Sequence, residues 1–259
     1  MRIARFVVHG ITKYGVLEGC EVRALQGSPY DSFKGPGGKL AFDGSAFDPG
    51  AVRLLAPCQT SKIVAVGLNY RRHAEEFKSA VPTAPLIFLK PSTSVIGPGE
   101  PIVYPRGATR VDFEGELGVV IGREAKDVPR ASARDYVLGY TIVNDVTERE
   151  MQGKDGQWTR AKGFDTFAPL GPWIENEISP DDLEIETRLN GEVRQCGRTS
   201  DLVFGVDELI EFISGVMTLL PGDVISTGTP PGIGPMKAGD VVEVTIEGIG
   251  TLANPVVRS

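Results

Sequence analysis

Histidine is scarce in this 259-residue chain: His9 and His73 are the only two. Any imidazole chemistry in the main part of the protein therefore rests on His73. Cysteine is equally thin. Cys20, Cys58 and Cys196 lie far apart, odd in number and without a C-x-x-C pair, which suits a reduced cytoplasmic protein better than a disulfide scaffold. No run of about 18 apolar residues is present to cross a membrane. The start, Met1-Arg2-Ile3-Ala4-Arg5-Phe6, lacks the long apolar core of a signal peptide and reads as a first strand. Basic blocks are missing too, with 34 Asp and Glu against 27 Lys and Arg, so a nucleic-acid partner is disfavoured. Gly228-Thr229-Pro230-Pro231-Gly232-Ile233-Gly234 lacks the Lys-Ser/Thr pair of a phosphate loop, and its prolines remove backbone donors. It reads instead as a rigid loop lining a pocket.

Turn-formers are abundant, with 32 Gly and 19 Pro, as in proteins built from many short strands. Residues 3–8 and 12–17 flank a His9-Gly10 turn, and residues 26–50 have too little apolar periodicity for a helix. Residues 1–56 form a small N-terminal β domain on this reading, and 57–259 a larger domain. Residues 61–67 read as a buried strand and 86–90 as a short one. Residues 184–189 and 193–195 alternate around Asn190-Gly191, a strong hairpin signal. Residues 207–217 carry an amphipathic helix with Leu209, Ile210, Ile213, Val216 and Met217 on one side. A second short helix is expected over 133–138, capped by Ser132. The sum is a mixed, β-rich α+β roll or barrel with few short helices.

Within 111–121, Glu114 and Glu116 stand two apart in a run that ends in aliphatic residues, so a strand would point both to one face. Paired carboxylates beside an apolar strand need a positive charge between them or water around them. Asp145, closing the apolar run 140–143, can add a third oxygen from a neighbouring strand. Such a set favours magnesium or manganese over zinc; a solvated edge strand is the plain alternative. His73 and Glu76, at i and i+3 in a polar helical stretch, would be neighbours able to form an acid/base dyad or merely an exposed face. Lys90 and Lys162 each sit where a strand or helix gives way to loop, as surface lysines often do.

Six ordered motifs resemble the fumarylacetoacetate hydrolase family from about residue 60 onward. They are Gly67-Leu68-Asn69-Tyr70 with His73 and Glu76; Phe88-Leu89-Lys90-Pro91-Ser92; Asp112-Phe113-Glu114-Gly115-Glu116-Leu117-Gly118; Asn144-Asp145-Val146-Thr147 with Arg149 and Gln152; Ala161-Lys162-Gly163-Phe164-Asp165; and Thr227-Gly228-Thr229-Pro230. The resemblance implies a mixed β-sandwich roll, a homodimer, and one Mg²⁺ or Mn²⁺ per site held by Glu114, Glu116 and Asp145. It implies His73 and Glu76 as acid/base dyad on a lid helix and Lys162 as the cation that neutralises developing charge. Arg149, Gln152, Lys90 and Thr229 would grip the substrate's oxygens.

The expected substrate is a 2-oxo mono- or dicarboxylic acid. Water activated by His73 and Glu76 would cleave a C–C bond of an acylpyruvate or fumarylpyruvate, with a metal-bound enolate leaving. The same enolate would serve an oxaloacetate decarboxylase, a keto–enol tautomerase or a 2-hydroxyhepta-2,4-diene-1,7-dioate isomerase. A non-catalytic 2-oxo acid binding protein is the alternative of another kind. Arg71-Arg72 suggests a second carboxylate on the substrate.

Overall fold

Short strands dominate because turn residues interrupt nearly every apolar run. The computed structural model describes residues 1–31, 33–72 and 81–259. The chain opens with strands β1 (Arg2–Val8), β2 (Ile11–Glu18), β3 (Glu21–Leu25), β4 (Phe42–Phe47) and β5 (Arg53–Leu55). His9 and Gly10 both take positive φ, the requirement of a tight turn matching strand twist, and β1 and β2 pair through all seven β1 residues. Next come β6 (Lys62–Gly67), β7 (Leu86–Pro91), β8 (Val95–Ile96) and β9 (Ile102–Tyr104). The centre is β10 (Val111–Phe113), β11 (Gly115–Ile121), β12 (Val137–Asn144) and β13 (Thr147–Glu148). Helices α1 (Arg149–Asp155) and α2 (Thr159–Lys162) precede β14 (Ala168–Glu175). The hairpin β15 (Glu184–Leu189) and β16 (Glu192–Arg198) turns at Asn190-Gly191, again with positive φ at both. Helix α3 (Val206–Val216) is followed by β17 (Val224–Ser226), β18 (Gly234–Met236), β19 (Val241–Ile246) and β20 (Gly250–Arg258).

One twelve-stranded sheet runs β4-β3-β2-β1-β14-β12-β11-β17-β6-β7, with β5 on β1 and β8 on β14. The first 56 residues thus extend the main sheet through the β1–β14 pairing. A five-stranded sheet, β16-β15-β19-β20-β9, and a three-stranded one, β13-β10-β18, complete the β-rich roll. Strands β11 and β12 are buried along their whole length, which explains their nearly unbroken apolar sequences. The largest apolar cluster joins Leu117 and Ile142 of the main sheet to Leu209 and Ile213 of α3 and to Val244 and Leu252 of the five-stranded sheet. No described helix is long and apolar enough to cross a membrane.

Residues 133–138 are not the expected α-helix. A 3₁₀ turn, Arg130–Tyr136, runs straight into β12. Ser132 does not cap it: its hydroxyl donates back to the Pro129 carbonyl at 3.1 Å. Arg134 is drawn outward to Asp207 and Asp181, so only Ala133 of that turn is buried.

Candidate active site

The E-x-E triplet does not lie on one uninterrupted strand. The chain changes sheets at Glu114, leaving β10 in the three-stranded sheet and entering β11 in the twelve-stranded one. The joint is held by its neighbour. The Glu114 amide donates to the Asn144 side-chain oxygen at 2.9 Å, and the Asp145 amide donates to the Glu114 carbonyl at 2.8 Å. The middle residue has to be small. A Cβ on Gly115 would collide with the Thr187 hydroxyl and the Val244 side chain, because the start of β11 is pressed against the five-stranded sheet. With that side closed, the two flanking carboxylates turn to the other, where a cavity of about 320 Å³ opens.

Glu114, Glu116 and Asp145 bring one oxygen each to within 4.8 Å of one another, and all three are buried. Lys162 lies between two of them, its ammonium 2.8 Å from Glu114 Oε2 and 2.6 Å from Asp145 Oδ2. Burial works against the Lys162 charge, but Asp145 and Glu114 outweigh it and hold its pKa above the ordinary value. Arg149, from the first turn of α1, reaches Glu114 Oε1 at 2.5 Å and Asp112 at 3.0 Å, and donates to Gln152 at 2.6 Å. Its helix is started by Glu148, whose carboxylate accepts from the Met151 amide and, through Thr109 and Arg110, ties the loop before β10 to the site.

Glu116 is placed differently. It accepts from the Ser226 hydroxyl at 2.6 Å and the Gly228 amide at 2.8 Å, and no ammonium or guanidinium group forms an ion pair with it among the described residues. Burial first, then the charges of Asp145 and Glu114, push its carboxyl up to about 8. The donor set is therefore all hard oxygen and buried. It fits a divalent ion that prefers oxygen ligands, and these three residues could hold one.

The residues expected to grip a substrate divide into two groups. Arg149, Gln152, Lys162 and Thr229 all line the cavity. Thr229 is partly spent, donating to the Gly115 carbonyl and accepting from Gln195. Lys90 stands apart: it is fully buried, is not among the residues lining the cavity, and donates to Asp145 Oδ1 at 2.6 Å and to the Val146 carbonyl at 3.1 Å. Arg71 and Arg72 line a separate cleft with Cys196 and Pro231. His73 and Glu76 lie outside the described residues. Ser226 and Gln195 had no local signal in the sequence, and Asp112 and Asn144 stood in motifs without a role of their own, since each acts on a group brought near only by folding.

The fumarylacetoacetate (FAA) hydrolase C-terminal family model matches residues 62–257. The chain belongs to this family. Residues 1–57 match a second model, Rv2993c-like, N-terminal. Protein Rv2993c of Mycobacterium tuberculosis is 55% identical over 226 residues, 86% of this chain and 85% of that protein. The crystal structure of 2-hydroxyhepta-2,4-diene-1,7-dioate isomerase from Mycobacterium marinum is 48% identical, with a TM-score of 0.92 over 100% of this chain and 99% of that one. Maleylpyruvate hydrolase from Sphingobium sp. SYK-6, in complex with manganese(II) ion and pyruvate, is 30% identical, with a TM-score of 0.82 over 100% of both chains. Family members thus include an isomerase and a hydrolase.

Proposed function

We propose that this protein is a divalent-metal-dependent enzyme that hydrolyses a C–C bond in 2-oxo acids of the acylpyruvate or fumarylpyruvate type. The observation that carries the reading is the buried Glu114–Glu116–Asp145 group with Lys162 at the base of a small cavity. Glu114, Glu116 and Asp145 would hold Mg²⁺ or Mn²⁺; the maleylpyruvate hydrolase bound to manganese and pyruvate is consistent with that assignment. When bound, the ion supplies Lewis-acid polarisation of a keto oxygen.

Formal charge also points to an anionic substrate. Four carboxylates, Glu114, Glu116, Asp145 and Asp112, meet four cations, Lys90, Lys162, Arg149 and Arg110. A divalent ion would leave this group positive, which a substrate carboxylate offsets. Lys162 donates to the keto oxygen as negative charge builds there, from a buried position where a fixed charge acts strongly. Arg149 and Gln152 orient the substrate carboxylate. By the family resemblance, His73 with Glu76 takes a proton from the attacking water. Water adds to the C4 carbonyl, the C3–C4 bond breaks with its electron pair toward C3, and a proton returned there gives pyruvate and a carboxylic acid.

Isomerisation is the second reading, favoured by the 48%-identical isomerase structure. It needs the same activation at C3 without bond cleavage. The deciding experiment incubates the purified protein and Mg²⁺ with an acylpyruvate and, separately, with oxaloacetate, following ultraviolet absorbance and pyruvate release. Acylpyruvate cleavage abolished by EDTA is expected. Pyruvate from oxaloacetate alone would replace the hydrolase reading with a decarboxylase. Loss of the enol absorbance without pyruvate would replace it with an isomerase.

A further inference from the structure

The cavity is chemically lopsided. Its polar groups gather at the carboxylates, and the rest of the wall comprises Val66, Gly67, Leu68, Phe88, Gly153 and Trp158. Across the sheet, β6 lies two strands from β11 and β7 lies three, so this wall extends roughly 10–14 Å from the backbone that carries Glu116. Phe88 borders the polar end, its ring centre 5.0 Å from the Lys162 ammonium. Trp158 meets Phe88 edge-on, with ring centres 5.1 Å apart. The indole also lies against Gly67, where a Cβ would come within 2.6 Å of it, so any larger residue at 67 would displace the ring.

Leu68 is the second mark of a built wall. Its φ of 55° is in the left-handed region that residues with a Cβ rarely adopt. Asn69 fixes the chain there: its amide donates to the carbonyls of Phe204 and Thr227, and its oxygen accepts from the Phe204 amide. Strain of this kind persists where the surroundings over-determine it, typically at ligand sites. Among the described residues lining the cavity, the cations are Arg149 and Lys162, both already against carboxylates. A second substrate carboxylate would be pressed onto indole and phenyl faces, losing its water without gaining a cation among the described residues.

We propose that the substrate is a 2,4-dioxo acid whose 4-substituent is apolar and uncharged, selected by Gly67, Leu68, Phe88 and Trp158. The assignment rests on the 2-oxo acid reading above and narrows it. The test gives the Mg²⁺-loaded full-length protein two substrates with the same head: benzoylpyruvate, with a phenyl tail, and fumarylpyruvate, with a charged one. A kcat/KM at least roughly 10-fold higher for benzoylpyruvate is expected. Trp158→Ala and Gly67→Ala should each shrink that ratio, chiefly by raising KM for benzoylpyruvate. The ratio is read within one sample, so a misfolded fraction cancels. Equal or faster cleavage of fumarylpyruvate by the parent protein overturns the tail assignment alone, as does an unchanged ratio in both variants. Failure to turn over either compound overturns the hydrolase reading and the tail assignment with it.

Discussion

Two of the sites that bury carboxylates in this molecule are built to opposite ends. Asp223, fully buried at the turn before β17, accepts from the Ser61 amide and hydroxyl, the Lys62 amide and the Leu220 amide, and pairs with the Lys62 ammonium. Burial pulls its pKa up, but Lys62 and these donors outweigh it and hold the carboxyl below its ordinary value. Glu116 is as dry, yet has one hydroxyl, one amide and two nearby like charges, and its carboxyl rises to about 8. Burial is shared; the supply of donors is not. Asp223 is a finished structural knot tying β6 to β17, whereas the Glu116 group has fewer donors and could take a cation.

The sharpest way to break that comparison is to neutralise each carboxylate in turn. Asp223→Asn strands the Lys62 ammonium and should cost roughly 3 kcal/mol in denaturant unfolding. Glu116→Gln should do the reverse in the metal-free protein at about pH 8, raising the thermal midpoint, while lowering turnover roughly 10²–10³-fold. A metal-free Glu116→Gln protein that melts earlier than the parent would sink the claim that this carboxylate is under-supplied.

A smaller effect sharpens the contrast through pH. The folded protein keeps a proton on Glu116 that the unfolded chain has already lost, since about 8 lies above the ordinary 4.5. Metal-free stability should therefore fall as pH rises from about 4.5 toward about 8, whereas Asp223, shifted downward, withdraws its contribution only as pH falls below the ordinary carboxylate range. Mg²⁺ should raise the melting temperature more at about pH 8 than at about pH 6, because binding has to displace the Glu116 proton. Melts with and without the ion at both pH values read this directly.

The mildest prediction concerns the two lysines on Asp145. Burial wins at Lys90 and lowers its pKa, whereas carboxylate charge wins at Lys162 and raises it. Lys90→Met should weaken Mg²⁺ binding by roughly 10-fold, by loosening Asp145, and leave KM for the oxo acid unchanged at saturating metal. A raised KM with intact metal affinity would return Lys90 to the substrate.

Local patterns in the sequence carried far because they depend on neighbours a few residues apart. His9-Gly10 and Asn190-Gly191 specify tight turns through positive φ, and the apolar stripe of 207–217 specifies a helix seen at Val206–Val216. Motif order placed the chain in its family, and the triplet around Gly115 with Asp145 marked the carboxylates that converge. What failed was whatever depended on distant groups. Ser132 has the chemistry of a helix cap, but its turn leads into the buried β12, and sheet pairing prevails over local capping. Lys90 read as a loop lysine until folding sealed it behind Asp145, 55 residues away.

By itself, then, the sequence determined the β-rich class, the hairpins and which residue types carry the chemistry, since these follow from short-range sterics and hydrophobic period. Only the tertiary structure decided that Glu114 sits where the chain changes sheets, that Ser226 and Gly228 rather than a cation meet Glu116, and that Trp158 leans on Gly67. The physical reason is desolvation. A carboxylate's proton affinity and a lysine's role depend on how much water is removed and which donors replace it, and those donors arrive from strands far apart in the chain.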